Sequence, residues 1–215
     1  MESDQHVDPT LLALAGETVQ ALNGARYEEA LTKGRRALAG LELDATAEVD
    51  VTSEKLEGMP PEALAAAGDV LTALAISSFR SGDYLNALRY SQFEHQVRRQ
   101  AGNELGAAQA LVGLGWCYQT LGLYQQALSS SFSALAMLEQ LRPEAVAGPL
   151  NGIARVYLDM GQSKKALEYA RRALDASKVS PQQQRDRSTA LRIVGQAHHA
   201  QGDQASAEEA YLECD

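Results

Sequence analysis

The amino-acid sequence predicts an all-α fold, an α-solenoid of antiparallel helical hairpins. The first observation is a repeat of 39 to 41 residues, marked by a glycine that is followed five residues later by alanine. Repeats of this length are typical of solenoids, in which each unit packs only on its neighbours. The second observation is that apolar residues recur at helical spacing through nearly the whole chain. The anchoring glycines are Gly82, Gly122, Gly161 and Gly202.

Each anchoring glycine is expected to close one helix just before the next helix begins. An apolar stripe from Leu111 to Leu121 marks the helix that ends at Gly122. Prolines begin several helices, because a first turn tolerates their missing N–H, whereas Pro149 is expected to shorten or kink its helix. The predicted helix pairs are 61–80 with 84–100, 104–121 with 124–140, 144–160 with 163–178, and 182–201 with 204 onward.

The rest of the chain predicts three further features. Residues 1–43 form a divergent N-terminal hairpin, which brings the number of expected hairpins to five. Residues 44–60 form an acidic connecting segment, either a solvated loop or a flap over a groove. Residues 61–215 hold the other hairpins, and the second helix of the last one stops early. A solenoid normally closes with a capping helix, so we expect the N-terminal part of a longer protein.

Small residues are predicted where two helices of a hairpin cross closely. Gly115, Ala154 and Gly195 each lie seven residues before a turn glycine. A larger side chain there is expected to push the helices apart. One position departs from this pattern: Glu94 replaces the alanine that later repeats carry, Ala173 among them, so the second hairpin is expected to pack differently.

Composition and charge exclude several classes of function. A formal net charge of −9 opposes binding to nucleic acid, which depends on clustered lysine and arginine. The N-terminus lacks the features of a secretory signal, no segment suggests a membrane span, and the cytoplasm is the default compartment. The two cysteines have no metal or redox spacing, and phosphate loops and catalytic motifs are absent. We therefore expect no cofactor, no metal and no enzyme activity in this segment.

The exposed stripe of each first helix is the predicted partner-binding surface, because in a solenoid of hairpins these helices line the concave side. Arginines offer donor forks for carboxylates, and asparagine or glutamine can pair with an extended peptide backbone. Trp116 and Phe79 supply apolar anchors, although a tryptophan wedged between repeats is an equal alternative. The candidate residues are Phe79, Arg80, Gln109, Trp116, Gln119, Asn151, Arg155, Arg192 and Gln196.

The repeat resembles the tetratricopeptide repeat (TPR). Leu114-Gly115 with Tyr118 and Ala127 matches the TPR pattern well, and the resemblance covers about residues 61–215. The period near 40 is similar to that of the long-repeat members, such as kinesin light chains. The resemblance implies a right-handed superhelix that binds proteins. Thr72 and Ile76 stand where chaperone-binding members carry their carboxylate clamp, so we do not expect that activity.

Two functions follow from these observations. The first is a protein interaction module that binds an extended peptide or a partner protein in a concave groove; an acidic or C-terminal peptide would suit the arginines. The alternative is a regulatory, sensory or dimerising arm of a larger bacterial signalling protein, and a dimerising arm would make a homodimer. For that alternative, the resemblance implies an effector domain after Asp215, such as a diguanylate cyclase or a transcription regulator.

Overall fold

The computed structural model describes residues 8–43, 56–177 and 184–214, and within them it contains helices and turns without a strand. The all-α prediction is therefore confirmed. The acidic residues 44–55, predicted as a loop or flap, lie outside the described residues. The helices are α1 (Pro9–Asn23), α2 (Tyr27–Gly40), α3 (Pro61–Arg80), α4 (Tyr84–Gln100), α5 (Glu104–Thr120), α6 (Tyr124–Leu141), α7 (Ala147–Asp159), α8 (Ser163–Ser177), α9 (Gln184–Ala200) and α10 (Gln204–Leu212).

The turn glycines place these helix ends close to their predicted positions. Gly82 and Gly122 have φ values of +82° and +74°, in the left-handed region that only glycine adopts without strain. The amide of each residue after the glycine bonds back to the preceding helix, as Asp83 does to the carbonyl of Ser78 at 2.9 Å. Each turn therefore stops one helix and starts the next within three residues.

Pro149 shortens its helix, as the sequence predicts. A short 3-10 turn, Pro143–Ala145, takes the place of the expected first turn, and α7 begins at Ala147. Pro149 is thus the third residue of α7, where a backbone N–H would have no partner inside the helix. The proline is tolerated because the backbone N–H that it lacks would form no hydrogen bond within the helix at this position.

The chain divides into two compact units, Met1–Gly113 and Leu114–Asp215. In the first unit, α3 packs against α1, α2 and α4, and its Leu71 and Leu74 are fully buried. Among the described residues, α3 is the helix that is long and apolar enough to cross a membrane. Most of it is covered by neighbouring helices, which is the property of a core helix.

Glu94, which stands where later repeats carry alanine, is buried in the first unit. Glu94 Oε1 lies 2.5 Å from the Thr72 hydroxyl across the α3–α4 hairpin, and Arg98 donates to Asp69 at 2.7 Å beside it. Burial raises the pKa of Glu94 to about 7, against the opposing effects of the Thr72 hydrogen bond and the Arg98 charge. The expectation that this hairpin packs differently is confirmed, because a polar cluster replaces a small apolar contact.

In the second unit, consecutive helices from α6 to α10 pack on one another through small residues. Ser131 of α6 is buried between two glycines of first helices: a Cβ at Gly115 would lie 2.5 Å from its Oγ, and one at Gly152 would lie 3.1 Å away. Gly195 faces the ring of Tyr211 in the same way. The predicted small-residue contacts at Gly115 and Gly195 are therefore confirmed.

Candidate partner-binding surface

Three residues of the second unit lie at the same position of successive first helices. Trp116 on α5, Arg155 on α7 and Gln196 on α9 each precede their turn glycine by six residues, and we call them the central row. All three are partly exposed. Arg155 Nη1 donates a hydrogen bond to Gln196 Oε1 at 2.7 Å, which joins α7 to α9. The central row therefore presents a ring, a guanidinium and an amide from three helices.

A second polar contact lies nearer the hairpin turns. Gln119 Nε2 of α5 donates to Asp159 Oδ2 of α7 at 2.5 Å. Asp159 is exposed and lies one helical turn after Arg155, so both side chains lie on one face of α7. The sequence prediction included Gln119 but gave no role to Asp159. Helical spacing alone places Asp159 on the predicted stripe, four residues after Arg155.

Arg192 adds a second cation to this surface. It is exposed on α9, one turn before Gln196, and within the described residues it has no ion pair. Burial lowers the pKa of Arg155, and the nearby charge of Arg192 lowers it further, while Asp159 opposes both. A guanidinium stays protonated in proteins, so two positive charges share this surface with one carboxylate.

Asn151 does not belong to the exposed surface, which corrects the sequence prediction. It is fully buried, and its Nδ2 donates to the backbone carbonyl of Asp186 at 2.9 Å. The reason is the arrangement of α9, whose first turn covers this position of α7. Asn151 therefore joins two hairpins of the second unit and does not offer its amide to a partner.

The first unit holds the other three candidate residues. Arg80 and Gln109 are exposed at the end of α3 and on α5. The ring of Phe79 is partly buried and packs edge-on against Tyr84, with centroids 5.2 Å apart. Phe79 therefore packs across the turn of its own hairpin, and it also borders the exposed stripe. Ile76, on the same stripe, is 41% exposed.

The described residues hold no group of three or more side chains that could bind a metal ion. His198 Nδ1 lies 3.2 Å from Asp203 Oδ2, and His199 Nδ1 lies 3.1 Å from Gln204 Oε1. Each imidazole therefore contacts a different residue around the last turn. This arrangement agrees with the structural or surface role that adjacent histidines on a helix usually have.

Helical hairpins that pack in series and leave one stripe of each first helix exposed define the class of helical-repeat scaffolds. A sequence profile of the tetratricopeptide repeat matches residues 65–140 and 145–214, which is more than half of the chain. The chain belongs to the tetratricopeptide repeat family. Proteins of this class act through their surfaces as binding scaffolds, and the fold here is of that kind.

Comparison with individual proteins gives the same fold. The chain is 35% identical over 92 residues to the photosystem I assembly protein Ycf3 of Cyanophora paradoxa, which is 43% of this chain and 48% of that protein. The chain thus spans about half the length of this curated relative. The structure of BtubC (BKLC) from P. vanneervenii has a TM-score of 0.66 at 17% identity, covering 96% of this chain and 90% of that one.

A third similar protein is a putative kinesin light chain of Podosopora anserina with TPR-like repeats. It has a TM-score of 0.66 at 15% identity, covering 95% of this chain and 92% of that one. At such low identity the likeness concerns the fold alone. It agrees with the sequence prediction that the repeat is of the long-period kind.

Proposed function

We propose that the second unit binds an extended peptide that carries a carboxylate, through the central row and Arg192. The observation that carries this proposal is the pair of arginines on adjacent first helices, Arg155 and Arg192, with one carboxylate beside them. Two cations near one another favour an anionic ligand, because its charge relieves their mutual repulsion. Trp116, partly exposed in the same row, adds an apolar surface suited to a hot spot of binding.

The polar groups of the row support a ligand with an extended backbone. Arg155 uses one of its five N–H donors for Gln196, so other donors are available to a carboxylate or a peptide carbonyl. Gln196 accepts that bond with its amide oxygen and keeps its NH2 group as a donor. Extended chains expose such carbonyl groups at regular intervals, which suits recognition by side-chain donors.

Arg192→Glu is the variant of choice for testing the proposal. Arg192 is exposed and, within the described part of the chain, makes no hydrogen bond or ion pair, so charge reversal breaks no such contact. Arg171→Glu is the matched control, because Arg171 is an exposed arginine on α8, a second helix. Both variants change the net charge by the same amount, which separates a local effect from a general one.

The probe is a library of displayed random dodecapeptides, selected on the immobilised full chain. We expect peptides with aspartate, glutamate or a free C-terminus to be enriched on the wild type and on Arg171→Glu. Arg192→Glu is expected to bind an enriched, resynthesised peptide about tenfold more weakly. The proposal is wrong if no peptide is enriched over the empty support, or if both variants bind equally well.

The remaining expectations stay predictions from the sequence. They are an effector domain after Asp215, a homodimer and a role in signalling. The proposed peptide site does not depend on them, because all its residues lie within the second unit.

A further inference from the structure

The proposed surface has charges of opposite sign at its two ends. Asp159 lies two residues before its turn glycine, whereas Arg192 lies ten residues before its own. On parallel first helices this difference of eight residues corresponds to about 12 Å along the helix axis, at about 1.5 Å per residue. A carboxylate is therefore exposed near the hairpin turns, and an unpaired guanidinium is exposed toward the start of the helices.

Asp159 is held in place by its neighbour on α5. Gln119 Nε2 donates to Oδ2 of Asp159, while Oδ1 has no bond to another described residue. A fixed carboxylate with an exposed oxygen can accept a hydrogen bond from an ammonium or guanidinium group. It also repels a second carboxylate that approaches the same end of the surface.

We infer that Asp159 makes this surface selective for peptides that carry both a basic side chain and a carboxylate, the basic group near Asp159 and the carboxylate near Arg192. The inference rests on the proposed function, which supplies the peptide and its carboxylate. Asp159 adds the discrimination: a peptide with only acidic groups meets a like charge at one end. Specificity of this type comes from a penalty on the wrong ligand as well as from a new attraction.

The distance between the two ends sets the spacing of the two ligand charges. An extended chain rises about 3.3 Å per residue, so at least about four residues are needed to span the axial offset of about 12 Å, and the lateral separation of α7 and α9 adds to that offset. Arg155 lies between the ends and bonds to Gln196, which leaves it in reach of backbone carbonyls in the middle of the ligand. Two other titratable side chains lie on this stripe of α9: the exposed Arg185, two turns before Arg192, and His199, which lies beyond Gln196 and contacts Gln204.

The test is the same dodecapeptide selection, carried out on the wild type, on Asp159→Asn and on Glu168→Gln. Asp159→Asn removes the charge and keeps the shape and the contact with Gln119. Glu168→Gln removes one negative charge from an exposed position on α8 and serves as the matched control. The readout is the frequency of lysine or arginine three to five residues away from an aspartate or glutamate in the enriched peptides.

We expect this mixed pattern on the wild type and on Glu168→Gln, and a decrease of about fivefold in its frequency on Asp159→Asn, which should still enrich acidic peptides. Enrichment of acidic peptides without the basic partner on the wild type overturns the inference and leaves the proposed function intact. An unchanged pattern on Asp159→Asn does the same. If no peptide is enriched on the wild type, the proposed function is wrong and the inference falls with it.

Discussion

In the second and fourth hairpins, the polar residue at the same inward-facing position of the first helix has different hydrogen-bond partners. Ten residues before the turn glycine, the second hairpin has Thr72 and the fourth has Asn151. Thr72 lies 2.5 Å from Glu94 of its own second helix, whereas Asn151 donates to Asp186 of the following hairpin. The second helix of the fourth hairpin carries Ala173 where the second hairpin carries Glu94.

The comparison teaches that one residue of the second helix decides where a polar side chain finds its partner. A glutamate at this position forms a hydrogen bond with the polar side chain of the first helix in the same hairpin. A polar cluster therefore joins the two helices of that hairpin. An alanine offers no partner, so the asparagine bonds to the next repeat. The same backbone position therefore serves closure within a repeat in one unit and stacking between repeats in the other.

The largest effect is expected from placing the glutamate in the fourth hairpin. Ala173 is fully buried, and Ala173→Glu forces a longer side chain and a charge into a packed site without the Thr72 and Arg98 partners. We expect a loss of about 4 kcal/mol in the free energy of unfolding. Urea denaturation followed by circular dichroism measures this loss. Arg171→Glu is the exposed control on the same helix and should stay within about 0.5 kcal/mol of the wild type.

The second prediction concerns pH. The pKa of Glu94 is about 7 in the folded chain and about 4.5 when the side chain is exposed in the unfolded chain, so the folded state holds its proton to higher pH. As pH rises from 4.5 to 7, the folded state resists losing that proton, and the free energy of unfolding falls by up to about 3 kcal/mol. Urea denaturation across this window measures the effect.

Glu94→Gln is the matched variant for the pH experiment, because it has a similar shape and no titration. Its stability should lose the part of the pH dependence that Glu94 causes, while other titrating groups contribute equally to both proteins. If the wild type and Glu94→Gln show the same dependence over the window, the glutamate does not control closure of the second hairpin.

The third prediction tests the small-residue contact of the second unit. Gly115→Ala adds a methyl group 2.5 Å from Ser131 Oγ, and we expect a loss of about 2 kcal/mol. Removing that oxygen with Ser131→Ala leaves the nearest serine atom, Cβ, at 3.7 Å, which is ordinary contact. The double variant is therefore expected to recover most of the loss, and thermal denaturation of all four proteins gives the coupling. Additive losses would show that the clash is not the cause.

Much of the fold could be predicted because its signals are local. A glycine such as Gly161 with a positive φ fixes a turn, and the spacing of apolar residues fixes the helix on each side. The exposed stripe was predictable for the same reason, since Arg155 and Gln196 follow from helical periodicity. The bond between them could not be predicted from periodicity, because it depends on how α7 and α9 are aligned.

The sequence could not reveal where the stripe ends. Asn151 has the periodicity of an exposed residue, and its burial results from a neighbouring helix start near Asp186. The role of Glu94 was only partly visible: its departure from alanine is a sequence signal, and Arg98 lies four residues after it on the same helix, but the bond with Thr72 is known only from the packing of α3 on α4. Contacts between helices were thus the part that periodicity does not contain.

The left-handed glycine turns have a consequence for how the chain folds. Because each turn joins its two helices through only about three residues, closing a hairpin costs little chain entropy and the contacts formed are close in sequence. A chain with such local contacts can start to fold at any hairpin and extend from there. During synthesis, the α3–α4 hairpin can pair as soon as residue 100 has left the ribosome, before the later repeats exist.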